Sequence, residues 1–328
     1  MINFPLPRID TDEKLKELLL PYSRFQTGDV WQDSVNGHKI ACFDCTNSDN
    51  IKRLMDKDES VLAVHDPPYN FVAFKETEVR DFIEWSRKWI RNTYDFLSGN
   101  SSLYIWLGAD QNNHFQPLAD FIIMMRETGF NSRSFITMRN QRGYGTQQNW
   151  MSVRQELLYY VKGKPVFNIE AEYTDIPKIL NGYYKKVNGK ETNNFERGKS
   201  GFIRAGNVWV DIQQTFYRMN ENVNGCYAQK PLKAIQRIIK AGSNEDGIVV
   251  DFFSHSGTTL LACEIEKRKC FTVDIDPVFC EITLRRLENY RNNSLTGWQN
   301  SNPFTEEIRK DEKLGHYLQE KYNYNFQK

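Results

Sequence analysis

Short apolar runs alternate with longer amphipathic segments through most of the chain, and this alternation constrains the fold more than any other feature. The apolar runs are typical of strands and fall at residues 39–43, 60–65, 101–108, 132–140, 153–163, 247–253 and 269–276. Helical patterns flank them, at residues 11–20, 48–56, 78–97, 115–130, 229–242, 258–268 and 277–290. Strands that alternate with helices predict an α/β fold, a doubly wound and mostly parallel sheet with helices on both faces.

Composition and charge exclude several classes of protein. No stretch approaches the ~18 consecutive apolar residues of a membrane-spanning helix, and the N-terminus lacks the pattern of a signal peptide. The six cysteines are scattered, which indicates reduced thiols in the cytoplasm, and no His or Cys cluster predicts a metal site. The net charge is +1, yet residues 131–206 carry 13 Lys and Arg against 6 Asp and Glu. Such a segment could bind a polyanion on one face, or simply be a solvated loop.

The apolar run at residues 60–65 ends abruptly at Asp66-Pro67-Pro68-Tyr69. Two prolines cannot continue a central strand, so a turn is expected at the carboxyl end of this strand. A plain proline turn is one interpretation. The alternative is a grip on a planar group that bears an amino function, with Asp66 and the Pro67 carbonyl as acceptors and Tyr69 as a stacking face.

A second strand ends in Asp251-Phe252-Phe253-Ser254-His255-Ser256-Gly257-Thr258-Thr259, and the next strand ends at Asp274. Gly257 would allow the backbone to approach a ligand closely, and an acid at this spacing could hold ribose hydroxyls. A structural strand–turn–helix is the alternative. This strand end has neither GxGxxG nor Gly-Lys-Ser/Thr, which disfavours a dehydrogenase and a P-loop NTPase. Ligands bind at the carboxyl ends of such sheets, so we expect the segments at 66 and 257 to share one cleft.

These motifs resemble those of amino-methylating DNA methyltransferases that use S-adenosylmethionine, in particular the β group, where the catalytic motif precedes the cofactor motif. Asp66-Pro67-Pro68-Tyr69 matches the family's D/N/S-P-P-Y, and residues 251–259 match its F-x-G-x-G loop. Further resemblances, over roughly residues 38–290, are Phe43-Asp44-Cys45 to an early G-D-C, Cys226-Tyr227-Ala228-Gln229-Lys230-Pro231 to H-P-T-Q-K-P, Asn207-Val208-Trp209 with Asp211-Ile212 to W-x-D-I, and Asp274 to the acid after the second strand.

The resemblance implies a Rossmann-like methyltransferase sheet with an inserted, loop-rich target-recognition module. It implies catalytic roles for Asp66, Pro67, Pro68 and Tyr69. The implied cofactor-binding residues are Asp44, Lys230, Asp251, Phe253, Ser256, Gly257, Thr258, Thr259 and Asp274, with Asp44 at the adenine and Asp274 at the ribose. The candidate DNA-binding residues of the basic region are Arg139, Arg142, Lys185, Lys186, Arg197, Lys199 and Arg204.

The implied organisation has four parts: a catalytic half at 1–162, the recognition module at 163–206, a cofactor half at 207–290 and a tail at 291–328. The chain departs from the family pattern where His255 replaces a glycine and where Cys226-Tyr227-Ala228 replaces H-P-T. His255 is interpreted as a packed turn residue or as a ligand contact.

The activity implied is sequence-specific methylation of adenine N6 in duplex DNA, with a flipped base, within a restriction–modification system. Asp at the first catalytic position is more usual in adenine enzymes, and cytosine N4 is the close alternative. Methylation of RNA or of protein glutamine, and an inactive DNA-binding subunit, are further alternatives. A partner endonuclease and a homodimer are both compatible with the resemblance, and no membrane partner is expected.

Overall fold

The computed structural model describes residues 6–68, 78–108, 116–144, 150–168, 173–178, 183–194, 201–299 and 301–322. Its strands are β1 (Val30–Gln32), β2 (Lys39–Cys42), β3 (Ser60–His65), β4 (Leu97–Leu107), β5 (Asn131–Tyr144), β6 (Ser152–Lys162), β7 (Tyr173–Pro177), β8 (Tyr183–Val187), β9 (Lys190–Asn194), β10 (Phe202–Arg204), β11 (Val208–Trp209), β12 (Ile248–Asp251) and β13 (Lys269–Asp274). Its helices are α1 (Glu13–Leu19), α2 (Ser48–Met55), α3 (Val79–Phe96), α4 (Pro117–Met125), α5 (Leu232–Gly242), α6 (Thr258–Ile265), α7 (Pro277–Asn293), α8 (Thr305–Lys310) and α9 (Glu312–Tyr322).

A mixed sheet forms the centre of the fold, with strands in the order β1-β2-β13-β12-β3-β4-β6-β5-β11. Neighbours from β2 to β4 in this order all pair in parallel, as β11 does with β5. Strand β1 is antiparallel to β2, and β6 is antiparallel to both β4 and β5. The prediction of a mostly parallel sheet is therefore confirmed, whereas the short edge strand β1 was not predicted.

Strands β3 and β12 are neighbours in this sheet although they are far apart in the chain. Leu62 is paired with Val249, and Ala63 with Val250. Because the two strands are parallel, their carboxyl ends lie at the same edge of the sheet. The topology therefore brings together the two chemically unusual segments that the sequence places after these strands.

Helices cover both faces of the sheet because its buried strands are apolar on both sides. Leu62 and Val64 point to one face, where they share a core with α5, α6 and α7. Ala63 points to the other face and packs with α2, α3 and α4. The doubly wound arrangement is thus confirmed. All six cysteines are buried free thiols. Within the described ranges no helix has both the length and the apolar character needed to cross a membrane.

The region at 163–206 contains more strand than its weak periodicity predicts. Strands β7 and β10 form one antiparallel pair, and β8 and β9 form another. Asn188 and Gly189, at φ 53° and 77°, connect β8 to β9 in the left-handed conformation that two-residue hairpin turns need. The Asn-Gly dipeptide is a strong hairpin signal, and the sequence-based interpretation as a loop-rich module overlooked it.

Helices α8 and α9 pack against the N-terminal helix. Their shared core contains Leu15, Leu19, Ile308, Leu314 and Leu318. Asp12 caps α1 by accepting a hydrogen bond from the Leu15 amide at 3.1 Å. Its carboxylate also accepts hydrogen bonds from the hydroxyls of Tyr317 at 2.6 Å and Tyr322 at 2.5 Å. The two ends of the described chain are thereby joined.

Candidate active site

A cavity of about 410 Å³ lies at the carboxyl edge of the sheet, where β3 and β12 end. Asp66, Pro67 and Pro68 line it from one side, and Phe252, Phe253 and His255 line it from the other. The expectation that the two segments share one cleft is therefore confirmed. The volume falls within the range of about 300–1,000 Å³ that is typical of small-molecule sites.

Asp66 occupies the first position after β3, and the strand ends there because Pro67 has no amide hydrogen for a ladder bond. Lys230, which directly precedes the proline that caps α5, places its Nζ 2.7 Å from Asp66 Oδ2. The lysine side chain is only 6% exposed. Burial raises the pKa of Asp66, and the adjacent ammonium of Lys230 opposes this rise. Lys230 therefore favours the ionised, hydrogen-bond-accepting form of the carboxyl group.

Asp251 and its neighbours form the turn after β12. The Phe253 amide donates to Asp251 Oδ1 at 2.9 Å, so this side chain shapes the turn. Burial raises the pKa of Asp251 to about 7. A second, smaller cavity of about 20 Å³ shares lining residues with the first. It is lined by Asp251, Ser256, Thr258 and Thr259 together with Asp66 and Lys230. Phe253 and His255 border both cavities.

The turn from Ser254 to Gly257 contains two residues in the left-handed conformation. His255 has φ 46° and Gly257 has φ 71°. A Cβ atom on Gly257 would lie 3.0 Å from the Cα of Thr283 on α7. The structure places helix α7 beside Gly257, and the close approach of a ligand to this glycine stays a prediction. His255 adopts the conformation that suits the glycine of the family pattern, and its ring lies 5.0 Å from that of Phe279.

Asp274, at the end of β13, lines the larger cavity and organises the adjoining turns. Its Oδ2 accepts a hydrogen bond from the His255 amide at 2.8 Å, and its Oδ1 accepts one from the Asp276 amide at 3.0 Å. Burial raises the pKa of Asp274 to about 7. Asp44 follows the neighbouring strand β2, is exposed, and lines the same cavity. The three strand ends β2, β13 and β12 therefore each contribute a predicted residue to one wall.

The N-terminal segment also lines the larger cavity, and sequence reasoning missed it. Arg8, Asp10, Glu13 and Lys16 all face this space. The Arg8 guanidinium forms two hydrogen bonds of 2.6 Å to Asp10 and lies 4.2 Å from the ring centre of Tyr227. No local motif marks these residues, because their position depends on packing between distant segments.

Trp85 on α3 is a further residue of the cavity wall that sequence reasoning missed. Phe82 and Trp89 of the same helix are buried in the core. Trp85 packs against that core while only partly buried, and it also lines the cavity, with its ring centre 5.7 Å from that of Phe253.

The predicted DNA-binding residues are spread over several strands. Arg139 on β5 and Arg204 on β10 are exposed. Arg142 belongs to β5, whereas Lys185 and Lys186 belong to β8. Tyr69, Arg197 and Lys199 lie outside the described residues. The structure therefore leaves the role of this group as a prediction.

The curated relatives of this chain include two that match it over a similar extent. Type II methyltransferase M.HpaI of Haemophilus parainfluenzae is 24% identical over 250 residues, which cover 75% of this chain and 73% of the relative. DNA adenine methyltransferase YhdJ of Escherichia coli K12 is 30% identical over 239 residues, which cover 70% of this chain and 77% of the relative.

Solved structures share the fold. The cytosine-N4-specific PvuII DNA methyltransferase superposes with a TM-score of 0.55 at 16% identity, covering 75% of this chain and 85% of that one. The M1.HpyAVI–SAM complex superposes with a TM-score of 0.50 at 18% identity, covering 76% and 98%. The profile of the N6/N4 DNA methylases matches residues 61–285, which include both strand ends of the cavity. The chain therefore belongs to this family of amino-methylating DNA methylases.

Proposed function

We propose that the protein transfers a methyl group from S-adenosylmethionine to the exocyclic N6 of adenine in double-stranded DNA. The observation that carries this proposal is the shared cavity, in which Asp66 and Pro67 face Phe253 and Asp274. The family includes enzymes for both adenine and cytosine, so the choice of adenine rests on Asp66 at the first catalytic position.

The cavity has side chains suited to each part of the cofactor. Asp274 is proposed to bind the ribose hydroxyls and Asp44 the adenine amino group. Phe253 offers an aromatic face to a cation. Asp251, Lys230 and the turn residues Ser256, Gly257, Thr258 and Thr259 are proposed to hold the loop that surrounds the methionine end. When bound, S-adenosylmethionine supplies an electrophilic methyl group on a sulfonium centre.

Asp66 and the Pro67 carbonyl are proposed to orient the attacking nitrogen. An exocyclic amino group is a poor nucleophile because its lone pair is delocalised into the ring. Two acceptors that each bind one N–H favour a pyramidal nitrogen with its lone pair directed at the methyl group, and they stabilise the positive charge that develops. A neutral amino group is far too weak an acid to lose its proton to Asp66 first. Once the nitrogen is methylated and cationic, it can release a proton to Asp66 or to water.

The target base must leave the duplex to reach a cavity of this kind, at a cost of a few kcal/mol. Tyr69 is proposed to stack on the extruded base and offset part of this cost. The basic residues of the region 163–206, with Arg139 and Arg142, are proposed to contact DNA, mostly at phosphates. The proposed setting is a restriction–modification system in the cytoplasm. The proposal includes a partner endonuclease and a homodimeric enzyme.

The test is transfer of a labelled methyl group to duplex DNA, followed by digestion to nucleosides. We expect N6-methyldeoxyadenosine from the wild type, and none from Asp66→Ala, which should still bind the cofactor. Glu306→Ala, which changes an exposed acid on α8, serves as the control and should keep full activity. Label in N4-methyldeoxycytidine would contradict the choice of adenine. Full turnover by Asp66→Ala would contradict the mechanism. In parallel reactions with RNA or protein in place of DNA, label that appears only there would contradict DNA as the substrate.

A further inference from the structure

His65 is a buried titratable residue for which the proposed reaction has no role so far. It is the last residue of β3, directly before Asp66, and its exposure is 0%. Its ring stacks on Phe252 with a centroid distance of 4.8 Å. The edges of Trp89 and Phe253 lie near it, at centroid distances of 5.5 Å and 5.8 Å. The imidazole is thus enclosed between the catalytic strand, the cofactor loop and helix α3.

Both ring nitrogens of His65 have hydrogen-bond partners. The Phe252 amide donates to Nδ1 at 3.2 Å. Nε2 lies 3.0 Å from the hydroxyl of Thr93, which itself donates to the Trp89 carbonyl at 2.8 Å. Because Nδ1 accepts and the Thr93 hydroxyl already donates, Nε2 must carry the proton. Burial lowers the pKa of His65 to about 3, so the ring stays neutral and this pattern persists at neutral pH.

The hydrogen bond to Phe252 continues the connection between β3 and β12 beyond their backbone pairing. In this ladder Leu62 pairs with Val249 and Ala63 pairs with Val250. Beyond these pairs, towards the carboxyl ends of the two strands, the His65 side chain links the segment that carries Asp66 to the backbone amide of Phe252, directly before Phe253. The distance between these two walls of the cavity sets the distance between the nitrogen acceptors and the methyl donor.

We propose that His65 is a positioning residue for methyl transfer, which holds the Phe252–Phe253 backbone at a fixed distance from Asp66. This inference rests on the proposed function. A displacement of about 1 Å in a reacting pair can reduce a rate by about 10²-fold, because alignment is most of what the site contributes. Loss of the link should therefore slow the transfer step more than it weakens cofactor binding.

The first test compares His65→Leu with His65→Asn, whose side-chain oxygen can replace Nδ1 as acceptor for the Phe252 amide. Single-turnover methyl transfer and the dissociation constant of S-adenosylmethionine are measured separately. For His65→Leu we expect a transfer rate at least ~10-fold below wild type, with a dissociation constant within ~3-fold. For His65→Asn we expect a rate within ~3-fold of wild type, although both variants lose the ring and its packing.

The second test changes the partner on the other nitrogen and applies also if His65→Leu fails to fold. Thr93→Val removes the hydroxyl that fixes the tautomer, and Thr93→Ser keeps it. We expect slower transfer only in Thr93→Val. Nitrogen NMR of the labelled imidazole should show the proton on Nε2 in the wild type and in Thr93→Ser.

The outcomes separate this inference from the proposed function. A wild type that methylates no DNA contradicts the proposed function. An active wild type overturns the positioning role if His65→Leu and Thr93→Val both transfer at its rate. The role is also overturned if His65→Asn is as slow as His65→Leu at equal thermal stability, because the loss would then follow packing alone. Observation of the proton on Nδ1 would likewise refute it.

Discussion

Replacement of Gly257 by alanine tests why the turn before α6 requires a glycine. Gly257 is the N-cap of α6 and has φ 71°, a conformation that disfavours any side chain. A Cβ atom there would lie 3.0 Å from Thr283 Cα and 3.1 Å from both Thr283 Cγ2 and Oγ1. The nearest atom belongs to the backbone of α7, so the contact cannot be relieved by a side-chain rotation alone.

Two costs follow from this geometry. The left-handed conformation costs an alanine about 1–2 kcal/mol relative to glycine. Forcing an extra methyl group into a packed region costs about 1–3 kcal/mol more. We therefore expect Gly257→Ala to lower the free energy of unfolding by about 2–5 kcal/mol. Gly37 is a matched control, because its φ is 74° and a Cβ there would meet only the Lys269 side chain at 3.7 Å. Gly37→Ala should show only the first cost.

Urea unfolding of both variants, with wild type as reference, measures the difference. The midpoint of Gly257→Ala should fall well below that of Gly37→Ala at similar slopes. Equal midpoints would refute the packing argument. A Gly257→Ala variant that is as stable as Gly37→Ala but no longer binds S-adenosylmethionine would instead support the sequence-based interpretation, in which this glycine makes room for the ligand.

Three further predictions concern ionisable groups. Lys230→Met removes the charge that favours ionised Asp66, so the acid limb of the pH–rate profile should move to higher pH. Lys230→Arg keeps the charge and should not move the limb. An unmoved limb in Lys230→Met would contradict the role of Lys230 in keeping Asp66 ionised. Burial raises the pKa of Asp274 to about 7, so its carboxylate forms mainly above that pH. Binding of S-adenosylmethionine should therefore tighten between about pH 6 and about pH 8. Calorimetry should find this trend weaker in Asp274→Asn, in which Asp251 is the remaining cofactor-site acid with a pKa of about 7. Burial acts to raise the pKa of Asp12, but hydrogen bonds from two tyrosines of α9 outweigh it and lower this pKa to about 2. The ionised Asp12 carboxylate therefore stabilises the folded protein above the pKa that this group has in the unfolded chain, and this stabilisation is lost as the pH falls towards 2. Thermal unfolding should show Asp12→Asn to be less stable than wild type at neutral pH. The difference in stability between the two proteins should narrow in acid.

The sequence predicted those parts of the fold that depend on local pattern. Strand β3 has its predicted bounds, Ser60–His65, because an apolar run followed by two prolines has few alternatives. The shared cleft of the segments that follow β3 and β12 was predicted from the general rule that ligands bind at the carboxyl edge of such sheets; the direct pairing of these two strands was not predicted. The cavity at Asp66 and Phe253 could therefore be located before the structure was known.

The parts that could not be predicted depend on contacts between distant segments. Arg8 reaches the cavity because the Ile9 amide binds the Gly225 carbonyl at 3.0 Å, a contact that no spacing in the sequence encodes. The packing of Thr283 beside Gly257 is similarly a property of how α7 lies on the sheet. His65 could be identified as buried from the sequence, but its hydrogen bond to the Phe252 amide could not.

The contact of α9 with Asp12 has a consequence for biosynthesis. The segment that carries Arg8 and Asp10 is synthesised before the strands of the central sheet, yet the tyrosines that hold its helix cap belong to a helix made after the whole sheet. During translation this wall of the cavity therefore lacks its support until α9 has been synthesised. A nascent chain that already contains both strand ends should retain the methyl donor less firmly than the released polypeptide.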